Sequence, residues 1–248
     1  MRLFRHEVRT QQLLFWRNKE SAIFVFVFPP MLFLLLGAVY DGRIEGFRAA
    51  DVLLVGLVGY GCANTAFAGL AITLVIRREG GVLKRMRATP LPPTTYLAAV
   101  LCSTLFVFVL QVLLTMALGV VLYGASGPQN WLGLGLAVLL GVATFAGLGF
   151  GAAALIRSAE GSSAVVQLVV LPMAFLSGSF GSTDGYPGFL QTIADALPLT
   201  YLIRILKAVY LRGEPFWSEP KAILIVLVWG LAGLIVAWRR FGWEPRER

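Results

Sequence analysis

The sequence predicts an all-α polytopic membrane protein, and three observations predict it. Of its 248 residues, 58% are hydrophobic and 14% charged, where soluble domains run at about half apolar and about a quarter charged. The mean hydropathy of +0.78 excludes an ordinary soluble domain. Residues 21–39 and 52–76 carry no charge at all, and an apolar run of about 18 residues or more crosses the roughly 30 Å hydrocarbon layer as a helix. The surplus of cations, 21 Lys and Arg against 13 Asp and Glu, falls between the runs rather than in one patch. That distribution reads as a basic rim at the membrane face and not as a nucleic-acid surface.

Taken in order, six spans emerge: Ala22–Tyr40, Val52–Ile76, Thr95–Tyr123, Trp131–Ile156, Ser163–Phe180 and Ala222–Trp238. Together they form a single transmembrane domain over 1–248, with residues 1–20 an interfacial helix and 181–220 an outward segment. The first span follows a basic stretch, as a signal peptide does. It lacks a small-x-small cleavage site and five spans follow it, so it reads as an uncleaved helix. Pro29 and Pro30 lie inside it and Pro172 inside the fifth, a pattern tolerated where neighbouring helices pack around the lost hydrogen bond. The Lys and Arg count puts fifteen on one side (the N-terminal segment, the second and fourth loops and the tail) against six on the other. The positive-inside rule makes the first side cytoplasmic and places both termini there, in a cell membrane.

The chemistry the sequence lacks is as informative. His6 is the only histidine, so neither a metal cluster nor a Ser-His pair is expected within the membrane. No Asp, Glu, Lys, Arg or His lies inside the spans as bounded above, which disfavours an ion-coupled carrier. None of the lysines completes a Gly-Lys-Ser/Thr phosphate loop. Catalytic residues, a metal site and a bound cofactor are therefore not expected in this chain. Cys62 and Cys102 both fall in apolar spans, without disulfide or metal spacing, and read as packing residues.

Uncharged polar residues inside the spans, among them Asn64, Thr65, Gln111 and Gln167, must face other helices or a wet cavity, because an unpaired amide in lipid costs several kcal/mol. They serve either helix packing or a substrate pathway. The glycines Gly141, Gly147, Gly149 and Gly151 read as close helix contacts. At the N-terminus, Leu3, Phe4, Val8, Leu14 and Phe15 share one helical face and Arg2, Arg5, His6 and Arg9 the opposite one, with Glu7 and Gln11 intruding on the apolar side. The pattern fits a helix lying in the interface among membrane lipids.

Two further segments stand out. From Arg78 to Leu91 the sequence runs Arg-Glu-Gly-Gly-Val-Leu-Lys-Arg-Met-Arg-Ala-Thr-Pro-Leu, a short basic helix with glycines before it and prolines after it. It is either a topology signal or a handle for a cytoplasmic partner. In the outward segment, Tyr186–Ala196 and Leu199–Leu211 are each too short to span and are divided by Leu197-Pro198. They predict a re-entrant hairpin with Asp184 and Arg212 at its edges and the basic face of Arg204 and Lys207 turned to headgroups or water.

These segments resemble the membrane subunits of type-two ATP-binding-cassette exporters. Arg78-Glu79-Gly80-Gly81-Val82-Leu83 with Thr89-Pro90-Leu91 is similar to the family's first signature, with Val82 in place of the usual Thr. Leu176-Ser177-Gly178-Ser179-Phe180, Tyr186-Pro187-Gly188 and Leu197-Pro198-Leu199-Thr200-Tyr201 resemble its second. The resemblance implies a permease half that pairs with a second half, the same or homologous, above two copies of a cytoplasmic ABC ATPase subunit that hold ATP and Mg. It also implies that Arg78, Glu79, Leu83, Lys84, Arg85 and Arg87 couple the chain to that ATPase, and it leans toward the drug-exporter branch over polysaccharide or lipid exporters. A membrane anchor or scaffold of an ATPase complex shares every one of these features.

Overall fold

The computed structural model describes residues 2–245 apart from 41 and 184, and the backbone alone of Ser21. Asp184, expected at the edge of the outward hairpin, and Arg246 and Arg248 of the basic tail lie outside the described residues. The chain opens with α1 (Arg2–Arg17) and α2 (Lys19–Val39). A two-residue hairpin follows, β1 (Arg43–Ile44) against β2 (Phe47–Arg48), a small exception to the all-helical expectation. Next come α3 (Ala49–Cys62), a π-helical segment (Ala63–Gly69) and α4 (Leu70–Glu79), which run on as one helix. The rest is α5 (Val82–Arg87), α6 (Pro93–Tyr123), α7 (Trp131–Leu155), α8 (Ala159–Leu176), α9 (Gly188–Ala194), α10 (Pro198–Tyr210) and α11 (Pro220–Arg240).

Among the described residues, six helices are long and apolar enough to cross a membrane: Ala22–Val39, Ala49–Glu79, α6, α7, α8 and α11. The pair α9 and α10 is bent by 81° at a short break, as a re-entrant segment requires. Several ends shift from their expected positions. The fifth helix starts four residues before Ser163 and stops at Leu176, because Gly178 takes a left-handed φ of 77° and turns the chain. The second starts at Ala49 and ends at Glu79, so Asp51, Arg77, Arg78 and Glu79 are helical, although a charge-free run excluded them.

The core is built around the Ala49–Glu79 helix and α7. The first is buried along most of its length, whereas α2, α8 and α11 keep broad apolar faces exposed, with Leu168, Trp238 and Leu224 among the most open. Such faces suit a lipid solvent. Helix α7 packs on its neighbours through the glycines noted above. A Cβ at Gly147 would stand 2.7 Å from the Gly230 carbonyl oxygen of α11, and one at Gly233 would stand 2.6 Å from Gly147. Small residues that let backbones approach are how membrane helices gain dispersion energy without a hydrophobic drive. A Cβ at Gly149 would stand 3.0 Å from the carbonyl oxygens of Ala66 and Phe67, so the π segment packs its backbone closely against α7 where the glycine carries no side chain.

The end of the bundle that carries the β1–β2 hairpin is clamped by side chains. Arg48 donates to the Gly124 carbonyl (2.6 Å), Asp51 accepts from the Ser126 amide (2.6 Å), and the Tyr210 hydroxyl donates to the Ser126 carbonyl (2.7 Å). Buried Asp51 thus holds the turn between α6 and α7 from the first turn of α3.

Candidate functional site

The segment joining α4 to α6 divides into a buried and an exposed part. Arg78 is fully buried. Its Nη1 donates to the Ala153 carbonyl (2.7 Å), its Nη2 to the Ile156 carbonyl (2.6 Å) and its Nε to Glu79 (2.6 Å), whose side chain is 5% exposed. The last carbonyls of a helix have no partner within it and carry its negative end. Arg78 therefore satisfies the C-terminus of α7 with a charge of the right sign, and Glu79 balances that charge beneath the surface. Gly80 and Gly81 turn the chain, Gly81 at a φ of 70°, and α5 begins. Leu83 is fully buried and pins this short helix to the bundle. Lys84, Arg85 and Arg87 point out. Lys84 lies 3.8 Å from Glu244, both exposed; Arg85 and Arg87 have no partner among the described residues. Thr89 closes the helix by donating to the Met86 carbonyl (2.7 Å); exposed Pro90 and half-buried Leu91 lead into α6.

The six candidate coupling residues are thus not equivalent. Arg78 and Glu79 lie beneath the surface and act only through what they hold, Leu83 is an anchor, and Lys84, Arg85 and Arg87 form a surface.

The second group of motif residues forms the joint of the bent α9–α10 pair. Gly178 turns the chain out of α8, and the Ser179 carbonyl lies directly against Gly56 of α3. Pro187 precedes α9, and Pro198 opens α10, where a missing N–H costs nothing. Leu199 is fully buried. The Thr200 hydroxyl donates to the Ala194 carbonyl (2.6 Å) and pairs with Ser177 Oγ (3.0 Å), tying α8, α9 and α10 together. Arg204 is exposed over the Tyr201 ring, but Lys207 is not free. Its ammonium donates to both Glu45 carboxylate oxygens (2.7 and 2.8 Å), with Glu45 at the tip of the β1–β2 hairpin at a φ of 52°. The expected basic face is thus half spent inside the protein, by a partner 162 positions away in sequence.

An open cavity of about 680 Å³ lies between α1, α2, the π segment with α4, α6 and α8. It sorts the intramembrane polar residues. Asn64, Thr65 and Gln167 line it, and Gln167 Nε2 donates to Asn64 Oδ1 at 3.5 Å. Gln111 does not. It projects from α6, is buried against Gly61 and accepts from Thr65 at 3.3 Å, which is helix packing. At one end stands Arg77, whose Nη1 donates to Gln11 (2.7 Å) and to the Tyr96 hydroxyl (2.8 Å), while Gln11 donates to Glu7 (2.6 Å). Gln11, which interrupts the apolar face of α1 in sequence and is held by Glu7 one turn away, docks α1 on Arg77, and Gln12 docks it on α6 by donating to the Ser103 hydroxyl (2.8 Å) and carbonyl (3.0 Å). The network was not legible in sequence, because its members lie on three separate helices. Among the described residues no group of acidic, histidine and cysteine side chains is placed to hold a metal.

A multi-pass helical bundle with a partly polar cavity and a basic helix standing out from an inter-span turn has the form of a membrane permease. The chain belongs to the ABC-2 type transporter family, whose model matches residues 2–211. It is similar to the inner membrane transport permease YhhJ of Escherichia coli strain K12, 29% identical over 171 residues that cover 68% of this chain and 45% of that one. It is also similar to the putative transport permease ycf38 of Cyanophora paradoxa, 27% identical over 194 residues, or 69% of this chain and 65% of that one. The chain thus spans less than two thirds of either relative.

Proposed function

We propose that residues 1–248 form one transmembrane domain serving as the permease subunit of an ATP-binding-cassette exporter. It moves a hydrophobic or amphipathic substrate (a drug, a lipid or a glycan-lipid) out of the cytoplasm, with a drug preferred. The chain pairs with a second permease half in the cell membrane, both termini inside. Two copies of a separate ATPase subunit bind ATP and Mg and do the hydrolysis.

The observation that carries this reading is the exposed basic helix α5, pinned by Leu83 and mounted on the buried Arg78–Glu79 joint. A topology signal needs cations at the membrane face. It does not need them on a short helix whose base is bonded to the end of another span. In this reading, force applied to α5 by the ATPase passes through the Gly80–Gly81 turn to α4. Arg78 carries it to α7, and the glycine contacts carry it to α11 and to the π segment in the cavity wall. The re-entrant pair α9–α10 is the outward gate. The six-span bundle, the cavity and the lack of a phosphate loop in this chain support a permease driven by another subunit.

The test is co-purification with a candidate ATPase subunit, followed by hydrolysis and substrate uptake in inverted vesicles. The purified chain alone should hydrolyse no ATP, while the complex hydrolyses it and accumulates substrate. A complex that hydrolyses ATP but moves none of a broad panel of amphipathic compounds would favour a scaffold and end the exporter reading.

A further inference from the structure

We infer that the cavity between α1, α2, α4, α6 and α8 binds an amphiphile with an anionic head, whose phosphate or carboxylate sits on Arg77 and whose chain extends past Asn64. The inference names the ligand of the permease proposed above and rests on that reading only for the direction of movement.

Four observations support it. The first is size: about 680 Å³ lies within the roughly 300–1,000 Å³ of small-molecule sites. The second is the layout along the helix. Arg77 and Asn64, which both line the cavity, are thirteen residues apart along one continuous helix, the π segment at the Asn64 end and α4 at the Arg77 end. Between them the helix presents Leu70, Ile72 and Ile76 with Thr73, and the other helices add Phe24, Val100 and Val107 with the hydroxyls of Ser103 and Thr104. This gives a charged end, a mostly apolar middle with a few hydroxyls, and an amide end.

The third observation is the charge inventory. Among the described residues, Arg77 is the one cation lining the cavity and Glu20 the one carboxylate. The two are not equally demanding. Glu20 is exposed on the first turn of α2 and stays hydrated. Arg77 is half-buried and makes no ion pair among the described residues. Its bonds to Gln11 and Tyr96 both leave from Nη1, so Nη2 and Nε have no protein partner among those residues. The Gln11 amide stands between it and Glu7. A partly desolvated guanidinium held in a fixed pose, with two neighbouring donors open, is built to grip a planar or tetrahedral anion in the bidentate manner.

The fourth is the π segment. It puts Asn64, Thr65, Ala68 and Gly69 on the cavity wall, and such bulges are enriched at binding sites because they interrupt the helical ladder. The shared chemistry is a single anion on a hydrocarbon chain, which a membrane phospholipid or a free acidic amphiphile both supply.

The deciding experiment uses the full chain in phosphatidylcholine nanodiscs without any ATPase, so its failure leaves the coupling reading intact. The probes are 12-(1-pyrenyl)dodecanoic acid and its methyl ester, with binding followed by pyrene fluorescence. The acid should bind at least about tenfold tighter than the ester. Arg77→Gln should abolish the preference, and Arg77→Lys should keep part of it. Thr73→Trp, which fills the cavity and leaves Arg77 in place, should weaken both probes about equally. Doping the nanodiscs with phosphatidylglycerol distinguishes the sources: competition identifies a phospholipid occupant, and no competition identifies a free acid. Equal binding of acid and ester by the wild type, or a tenfold preference that survives in a folded Arg77→Gln, overturns the inference. The wild-type ratio decides the matter even if Arg77→Gln does not fold.

Discussion

Arg78 and Arg87 are nine positions apart in one inter-span segment, and they have opposite fates. Arg78 is fully buried, with two of its nitrogens on carbonyls at the C-terminal end of α7 (Ala153 and its cap Ile156) and the third on Glu79. Arg87 is exposed, and no partner holds it among the described residues. Counting cations treats the two alike, and for orientation in the bilayer they are alike. For mechanism they are not. A buried, paired guanidinium keeps two helices in one geometry, whereas an exposed one is available to another protein.

The largest effect should follow from breaking the buried half. Arg78→Ala strands two carbonyls and leaves Glu79 as a buried charge without its pair. Removing one partner of such a pair costs about 3–5 kcal/mol. Thermal unfolding in detergent should show a large fall in midpoint or no folded protein at all. A wild-type melting curve would mean the joint bears no load.

Next in size is the anchor. Leu83→Ala leaves the cavity of a fully buried leucine, a loss of about 2–5 kcal/mol where the surroundings cannot collapse. It should also free α5, so that ATPase binding weakens along with stability. Arg78→Ala and Leu83→Ala therefore separate the two regions in degree: the first costs chiefly folding, the second folding and partner affinity together. A Leu83→Ala protein that binds its partner with wild-type affinity would show that α5 is not the contact.

The exposed half should be nearly silent in the isolated chain. Arg85→Glu with Arg87→Glu should shift stability by no more than about 0.5 kcal/mol, as surface changes do, while the complex with the ATPase is lost or uncoupled. Raising salt should weaken the wild-type complex in the same direction, because exposed charges are screened within about 8 Å at physiological ionic strength. A double variant that unfolds on its own would erase the distinction between the two regions. The smallest effect belongs to Lys84→Ala. Its ion pair with Glu244 is exposed on both sides, and such pairs contribute about 0–1 kcal/mol; melting with and without the substitution measures it.

Much of the fold was legible in sequence because lipid leaves few options. Runs of apolar residues must be helices, and the α7 glycines must be contacts. The bent pair was marked by Pro198 between two runs too short to cross. What could not be read was anything that hydropathy ends at a charge. Asp51 and Arg78 sit just outside the charge-free run, and a count that stops there cannot know that turns of another helix wait beside them with unpaired carbonyls or amides. The π segment was invisible for a related reason, since it depends on Gly149 of α7 letting two carbonyls come close. Lys207 looked like a solvated cation because Glu45 reaches it only through the hairpin. The candidate coupling residues can be named from the sequence, but which of them are buried and which exposed cannot.

The most direct test of that division is cysteine accessibility. In a Cys102→Ser background, with Cys62 buried, single cysteines are placed at Lys84, Arg85 and Arg87 and labelled with a maleimide in the free chain and in the ATPase complex. All three should label fast alone and be protected in the complex, with protection lost at high salt. Equal labelling with and without the ATPase would contradict the account: α5 would then be a topology signal, and the Arg78–Glu79 joint would hold up nothing that another protein grips.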